Sequence, residues 1–112
     1  MLDNKDIKRA RSRIRTFVHK TPILKSEYLN QLAGAELFFK CENLQKTGAF
    51  KARGATNAVL SIPSHISCKG VATHSSGNHG AALAWAAKRS NMAASVVAVS
   101  YTHLTLPTIL LV

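Results

Sequence analysis

Lys51 is the residue of this 112-residue chain best placed to do chemistry. It lies in the run Asn43-Leu44-Gln45-Lys46-Thr47-Gly48-Ala49-Phe50-Lys51-Ala52-Arg53-Gly54-Ala55. Gly48 ends a loop, and a helical pattern opens just after it, so Lys51 falls in the first turn. An amine there, beside the fixed cation Arg53 and the apolar Phe50, is expected to release its proton more readily than a free lysine. A deprotonated lysine is the nucleophile that forms a Schiff base with a carbonyl. A second segment carries a different signal. Val71-Ala72-Thr73-His74-Ser75-Ser76-Gly77-Asn78-His79-Gly80 is a short apolar run followed by a polar, glycine-flanked turn, and it leads into the apolar pattern from Ala81 to Ala87. A strand, tight turn and helix start of this kind presents backbone N–H groups to an anion.

The elements that must position these segments follow from periodicity. Asp3 or Asn4 can cap a first helix running to about Val18, with Ile7, Ala10, Ile14, Phe17 and Val18 on one stripe. Thr21-Pro22 breaks it. Lys25 to Leu32 reads as a short helix closed by Gly34, and Ala35 to Cys41 as the first strand. A helix from about Gly48 to Leu60 is expected to turn Ala55, Ala58, Val59 and Ile62 inward, with Pro63 just past its end. Gly70 to His74 is the second strand, Gly77 to Arg89 the third long helix, and Ala93 to Ala98 the start of a third strand. This alternation predicts an α/β fold with a parallel sheet and flanking helices. In such sheets ligands gather beyond the carboxyl ends of the strands, where the turn of Ser75 to Gly80 falls.

Together the two segments resemble the fold-type II (tryptophan synthase beta-like) pyridoxal-phosphate enzymes, in the branch of threonine/serine dehydratases and serine racemases. The matching phrases are Glu42 to Ala55 and Ser75-Ser76-Gly77-Asn78-His79-Gly80, with Thr21-Pro22-Ile23-Leu24 and Glu36-Leu37-Phe38-Phe39-Lys40 in support. Ala49 stands where many members carry serine. The resemblance covers roughly residues 1–98, which makes that span an N-terminal fragment of a two-domain enzyme. Residues 99–112 do not match and read like a translated sequencing adapter, so they are set apart from fold reasoning as an artefactual tail.

The resemblance implies the cofactor pyridoxal 5'-phosphate, held covalently by Lys51. Amino-acid substrate would displace that lysine, which then takes the Cα proton. It also implies that Phe50 packs on one face of the cofactor ring and that the Asn78 side chain bonds the ring hydroxyl. Ser75, Ser76, Gly77, Asn78 and His79 would hold the substrate carboxylate. Ser76 matches the racemase residue that acts as acid and base on the face opposite the lysine, although dehydratases can carry the same turn. The residues alone leave plainer readings open: an exposed helix lysine at 51, a core aromatic at 50, a turn asparagine at 78 and a capping turn that binds nothing. The reaction implied first is β-elimination of water from L-threonine or L-serine, giving a 2-oxo acid and ammonia. Serine racemisation is the alternative, and the parent enzyme is expected to be a homo-oligomer. The glycine-rich phosphate loop and the pyridine-nitrogen partner of the family have no counterpart here, since the six glycines are scattered. A chain of this extent, expressed alone, is expected to be unstable and inactive.

Composition narrows the remaining classes. The formal charge is +10, and eight of the fifteen basic residues lie between Lys5 and Lys25. Such a cluster admits a basic nucleic-acid-binding module. The cations alternate with an apolar helical stripe, however, which reads better as a solvated helix face and no nucleic-acid partner. No apolar run reaches membrane-spanning length. The first twenty residues are too charged for a signal-peptide core, and Cys41 and Cys68 lack metal spacing, so a cytoplasmic protein with reduced thiols is expected. His74 and His79 have no third partner at ligand spacing, so no metal site is assigned. Trp85 reads as core, and His19 and His65 as surface.

Overall fold

The computed structural model describes residues 2–67 and 69–98, together with the backbone of Ile109–Leu110. The reading of 99–112 as a tail therefore falls outside the described residues, save for those two positions. Helix α1 spans Asn4–Ile14 and opens on a capping box, in which Asp3 accepts from the Asp6 N–H at 2.8 Å and Asp6 accepts from the Asp3 N–H at 3.0 Å. It stops four residues before Val18 and runs out in a turn, where the Ile14 carbonyl accepts from both the Phe17 and the Val18 N–H. Helix α2, Glu27–Ala33, is capped by Ser26 and closed by Gly34 at φ 62°, whose N–H reaches the Asn30 and Gln31 carbonyls.

The first expected strand differs from its reading. Ala35 to Cys41 pairs only as β2, Phe39–Lys40, antiparallel to β1, Ile23–Leu24, with Leu24 opposite Phe39. Asn30 Oδ1 accepts the Leu37 N–H at 2.8 Å and withdraws it from strand pairing. Phe38 and Phe39 are exposed, so this apolar run is not a strand of the parallel sheet.

Helix α3, Lys51–Val59, also starts later than Gly48. Thr47 (φ 59°) and Gly48 (φ 69°) are left-handed and Ala49 is extended, so right-handed geometry begins at Phe50. Its buried face is Ala52, Ala55, Thr56 and Val59. Ala58 points outward and Ile62 is half-buried, which rotates the packed face from the expected one. A short helix α4, Ser64–Ser67, leads to β3, Val71–His74. Helix α5, Asn78–Arg89, then returns the chain to β4, Ala94–Val97, parallel to β3 in the register Val71 to Ala94 and His74 to Val97. The backbone of β5, Ile109–Leu110, lies parallel on the far side of β4. The parallel sheet and the flanking helices expected from sequence are present.

The core lies where α3 and α5 pack together. Ala55, Val59, Ala82, Leu83 and Ala86 form it, and Val71, Trp85 and Met92 close its edge. Small side chains let the two helices approach closely, and α5 comes equally near the sheet at Gly80. A Cβ built at Gly80 would stand 2.9 Å from Val96 Cγ1 and 3.1 Å from the Ser75 carbonyl oxygen. Val96 is fully buried and the Ser75 backbone is fixed to β4, so neither can yield cheaply. We expect Gly80→Ala to destabilise the protein by about 1–3 kcal/mol through overpacking. Urea unfolding checks this, and an unchanged midpoint would contradict the close approach.

Candidate active site

The segment carrying Lys51 is held by a polar clamp that joins three stretches of chain. Gln45 is buried, and its side-chain amide acts as a strand partner for residue 19: Oε1 accepts from the His19 N–H at 2.8 Å and Nε2 donates to the His19 carbonyl at 2.9 Å. The same Oε1 accepts the Lys46 N–H at 2.9 Å. His19 is thus drawn into this clamp, with its ring Nδ1 3.1 Å from the Leu44 carbonyl. Glu42 receives both prongs of Arg53, Nε at 2.8 Å and Nη2 at 2.7 Å, and also the buried Thr21 hydroxyl at 2.5 Å. Arg53 Nη2 reaches the His19 carbonyl at 3.2 Å, and Lys40 Nζ donates to the Thr21 carbonyl at 2.7 Å. The Arg53 guanidinium holds the Glu42 carboxyl down to about 2; burial opposes it and the Thr21 hydroxyl adds to it. Arg53 in turn is pushed upward by its bond to Glu42.

Arg53 is therefore committed to Glu42. The fixed cation that the sequence places near Lys51 thus has its charge met by a carboxylate. Lys51 is the first residue of α3 and is exposed, and its Nζ lies 5.3 Å from the centroid of the Phe50 ring. Phe50 is 60% exposed in this span, which places an apolar ring face beside the amine.

The second segment stands at the carboxyl end of β3. Ser75 continues the ladder through its N–H to the Val97 carbonyl at 2.9 Å. Its Oγ accepts from the Gly80 N–H at 3.0 Å and the Gly77 N–H at 3.4 Å, so its acceptor capacity is spent on opening α5. Ser76, Gly77, Asn78 and His79 are all exposed. Among the described residues the N–H groups of Asn78 and His79 remain open donors at the positive end of a twelve-residue helix. Helix α5 packs against α3 and against the 3₁₀ turn Lys46–Gly48, so both motifs belong to one packed unit. Phe50 and Lys51 come side by side, and residues 76–79 form one exposed turn. His65 sits apart on α4, Trp85 is core, and no group of three or more His, Cys, Asp or Glu among the described residues could hold a metal ion.

Sequence reading missed the clamp. Glu42, Gln45 and Arg53 stand inside the motif, but nothing in their spacing says that the amide will fold onto His19 and the carboxylate onto Thr21. The donor set fits pyridoxal phosphate at its reactive end: an exposed amine, an exposed ring face beside it, an asparagine side chain and an anion-receptive helix start. Gly77 leaves open space where a Cβ would stand, so the turn is not plugged by its own side chains.

Comparison with known proteins accords with this donor set. The family model described as pyridoxal-phosphate dependent enzyme matches residues 14–105. Serine racemase of Dictyostelium discoideum is 61% identical over 84 residues, 75% of this chain and 26% of that protein. The beta-hydroxyaspartate dehydratase of Paracoccus denitrificans is 53% identical over 92 residues, 82% of this chain and 29% of that one. The crystal structure of a T.th. threonine deaminase superposes with a TM-score of 0.75 at 41% identity, covering 83% of this chain and 33% of that one. The chain thus spans between a quarter and a third of the length of these relatives.

The clamp makes a pH-dependent contribution whose sign is fixed by the lowered Glu42 carboxyl. That contribution is full above the ordinary value of 4.5 and is lost as pH falls toward about 2. We expect Glu42→Gln to cost about 1.5–3 kcal/mol at neutral pH, where a charge-assisted bond is exchanged for a neutral one. The gap between wild type and variant, followed by urea unfolding across the acid range, is expected to close between pH 4.5 and 2. A gap that stays constant through that range would show that Glu42 is not held as described.

Proposed function

The chain belongs to the family of pyridoxal-phosphate dependent enzymes, and from that premise we propose that the whole protein processes serine, removing and returning its Cα proton as a serine racemase. The observation that carries this reading is 61% identity over 84 residues to a serine racemase, in a span that exposes a lysine, Lys51, at one helix start and a serine, Ser76, just before another. When bound, the cofactor supplies an electron sink that lets the Cα proton depart. The residues of this chain do the rest. Lys51 holds the cofactor through its amine and, when substrate arrives, takes the proton from one face. Phe50 would pack on the cofactor ring and shield it from water. The Asn78 side chain would hold the ring hydroxyl, and the open N–H groups of Asn78 and His79 would receive the substrate carboxylate with help from the Ser75 and Ser76 hydroxyls and the unencumbered Gly77 backbone. The Ser76 hydroxyl returns a proton from the opposite face, which inverts Cα.

A second reading is β-elimination of water from L-serine or L-threonine, giving a 2-oxo acid and ammonia. Likeness to a dehydratase and to a threonine deaminase favours it. Elimination needs Lys51 and a departing β-hydroxyl but no base on the second face. In that branch Ser76 would serve only to bind.

Two variants of the whole protein separate these readings. Lys51→Ala is expected to abolish borohydride trapping of cofactor on the peptide containing residue 51 and to lower turnover by about 10²–10⁴-fold. Trapping that persists at another lysine would remove Lys51 from its role. Ser76→Ala is expected to abolish D-serine formation while ammonia release persists, measured in the same reaction mixtures. Equal loss of both products would show that Ser76 does not act on a separate face.

A further inference from the structure

Lys51 is bracketed by two side chains that fasten to one short stretch upstream. Gln45, before it, holds the backbone of His19, and Arg53, after it, reaches the His19 carbonyl and the Thr21 hydroxyl. Thr21 is where this bracket meets a fixed point. It is 4% exposed. Its carbonyl accepts from Lys40 Nζ at 2.7 Å, and the carbonyl of Pro22 accepts from the Cys41 N–H at 3.0 Å. Its hydroxyl donates to Glu42 Oε1 at 2.5 Å and accepts from Arg53 Nη2 at 3.3 Å, so one buried oxygen touches both members of the ion pair. The hydrophobic core holds α3 through Ala55 and Val59, beyond the first turn. Thr47 and Gly48 are left-handed and Ala49 is extended, so no regular element carries the geometry into that turn from the other side.

We propose that Thr21 is a positioning residue for Lys51 and acts through Glu42 and Arg53. The inference rests on the reading of Lys51 as the amine that holds the cofactor. Sequence gives Thr21-Pro22 the part of a helix break, and its burial keeps Thr21 from touching substrate. Without its hydroxyl, Glu42 and Arg53 keep their two mutual bonds yet are free to shift together as a pair. The fold tolerates such a shift, because the core lies elsewhere. The direction of Lys51 does not, because Arg53 leaves the same turn of the same helix. A reacting group displaced by about 1 Å loses far more in rate than the protein loses in stability. A threonine kept for packing would depend on its methyl, and valine would replace it better than serine. A threonine kept for positioning depends on its hydroxyl, and serine replaces it better than valine.

The test uses the whole protein, cleared of cofactor and given pyridoxal phosphate again. Absorbance follows formation of the bond to the cofactor, and borohydride trapping on the peptide containing residue 51 assigns it. Thr21→Val is expected to slow this capture about 10–100-fold and to lower kcat by a similar factor, with KM for serine moved by less than about threefold. Thr21→Ser is expected to stay within about threefold of wild type in capture and in kcat. In an Arg53→Lys background, which removes the two-pronged contact, Thr21→Val is expected to add less than about threefold. Capture by Thr21→Val at the wild-type rate would overturn the inference. So would a Thr21→Ser protein as slow as Thr21→Val, or losses that multiply in full when Thr21→Val is combined with Arg53→Lys. A Thr21→Val protein with no cooperative thermal transition would overturn it as well, since the hydroxyl would then support the fold and not the lysine. Trapping that persists in Lys51→Ala removes the reading of Lys51, whereas undiminished capture at residue 51 in Thr21→Val removes only the role of Thr21.

Discussion

The two-pronged contact between Glu42 and Arg53 is the interaction on which the candidate site depends. Arg53 lies two residues after Lys51 on the same helix, so whatever fixes Arg53 fixes the rotation of the first turn. A helix turns about 100° per residue, and a bidentate guanidinium tolerates little of that before both bonds fail. Glu42 in turn is bound to Thr21, and Gln45 ties the same turn to the backbone of His19. The direction in which Lys51 leaves α3 is therefore set by a stretch of chain about thirty residues upstream. The pair is also hard to breach from one side, because removing either charge leaves the other partly desolvated and uncompensated.

Packing supplies the second constraint. Alanines on both α3 and α5 bring the helix axes close, and Gly80 brings the start of α5 down onto Val96. The parallel register of β3 and β4 ends at His74 and Val97, and Ser75 adds one more rung. The exposed turn of residues 76–79 begins there because the ladder has ended and α5 has not yet begun its own bonds. Open N–H groups at that point follow from where the sheet stops and from Ser75 satisfying the inner donors. The anion-receptive character of the turn is thus a property of the β3–α5–β4 unit, and only secondarily of the side chains in it.

How far the sequence could be read depended on whether the signal was local. The helix bounded by Gly34, the β3–α5–β4 unit and the packing of Trp85 against the core all follow from short-range rules, and all are present. The prominence of Lys51 and of the 75–79 turn was legible because each stands at a helix start marked by glycine. The pairing of Leu37 to Phe39 was not legible, since an apolar run of that length looks the same whether a sheet covers it or not, and the bond from Asn30 that interrupts it spans seven residues. The outward turn of Ala58 was equally hidden, because alanine carries no preference strong enough to fix a face. The clamp around Glu42 escaped because its partners lie up to 34 residues apart. The order of the two chemistries was not legible either: elimination was placed first from motif resemblance, whereas likeness to serine racemases supports racemisation at least as well.

The late start of α3 shows how tertiary demands override local preference at this site. Thr47 is β-branched and sits at φ 59°, ψ 15°, a conformation that asparagine or glycine would adopt freely and that costs threonine about 1–3 kcal/mol. Its Oγ1 is also buried with no hydrogen-bond partner among the described residues, a second unfavourable term. Both costs fall four residues before Lys51, in a turn closed by the Gly48 N–H to the Gln45 carbonyl at 2.9 Å and packed against α5. Had the helix begun at Gly48, as local pattern alone favours, Lys51 would sit at its fourth position, inside the ring of satisfied amides. The left-handed pair Thr47–Gly48 and the extended Ala49 delay the start until Lys51 is the first helical residue. There the amine stands beside the exposed ring of Phe50, just ahead of the first bonded amides, Ala52 to the Ala49 carbonyl and Arg53 to the Phe50 carbonyl. The strain is local, and the contacts that outweigh it, through Gln45, Glu42 and α5, are long-range.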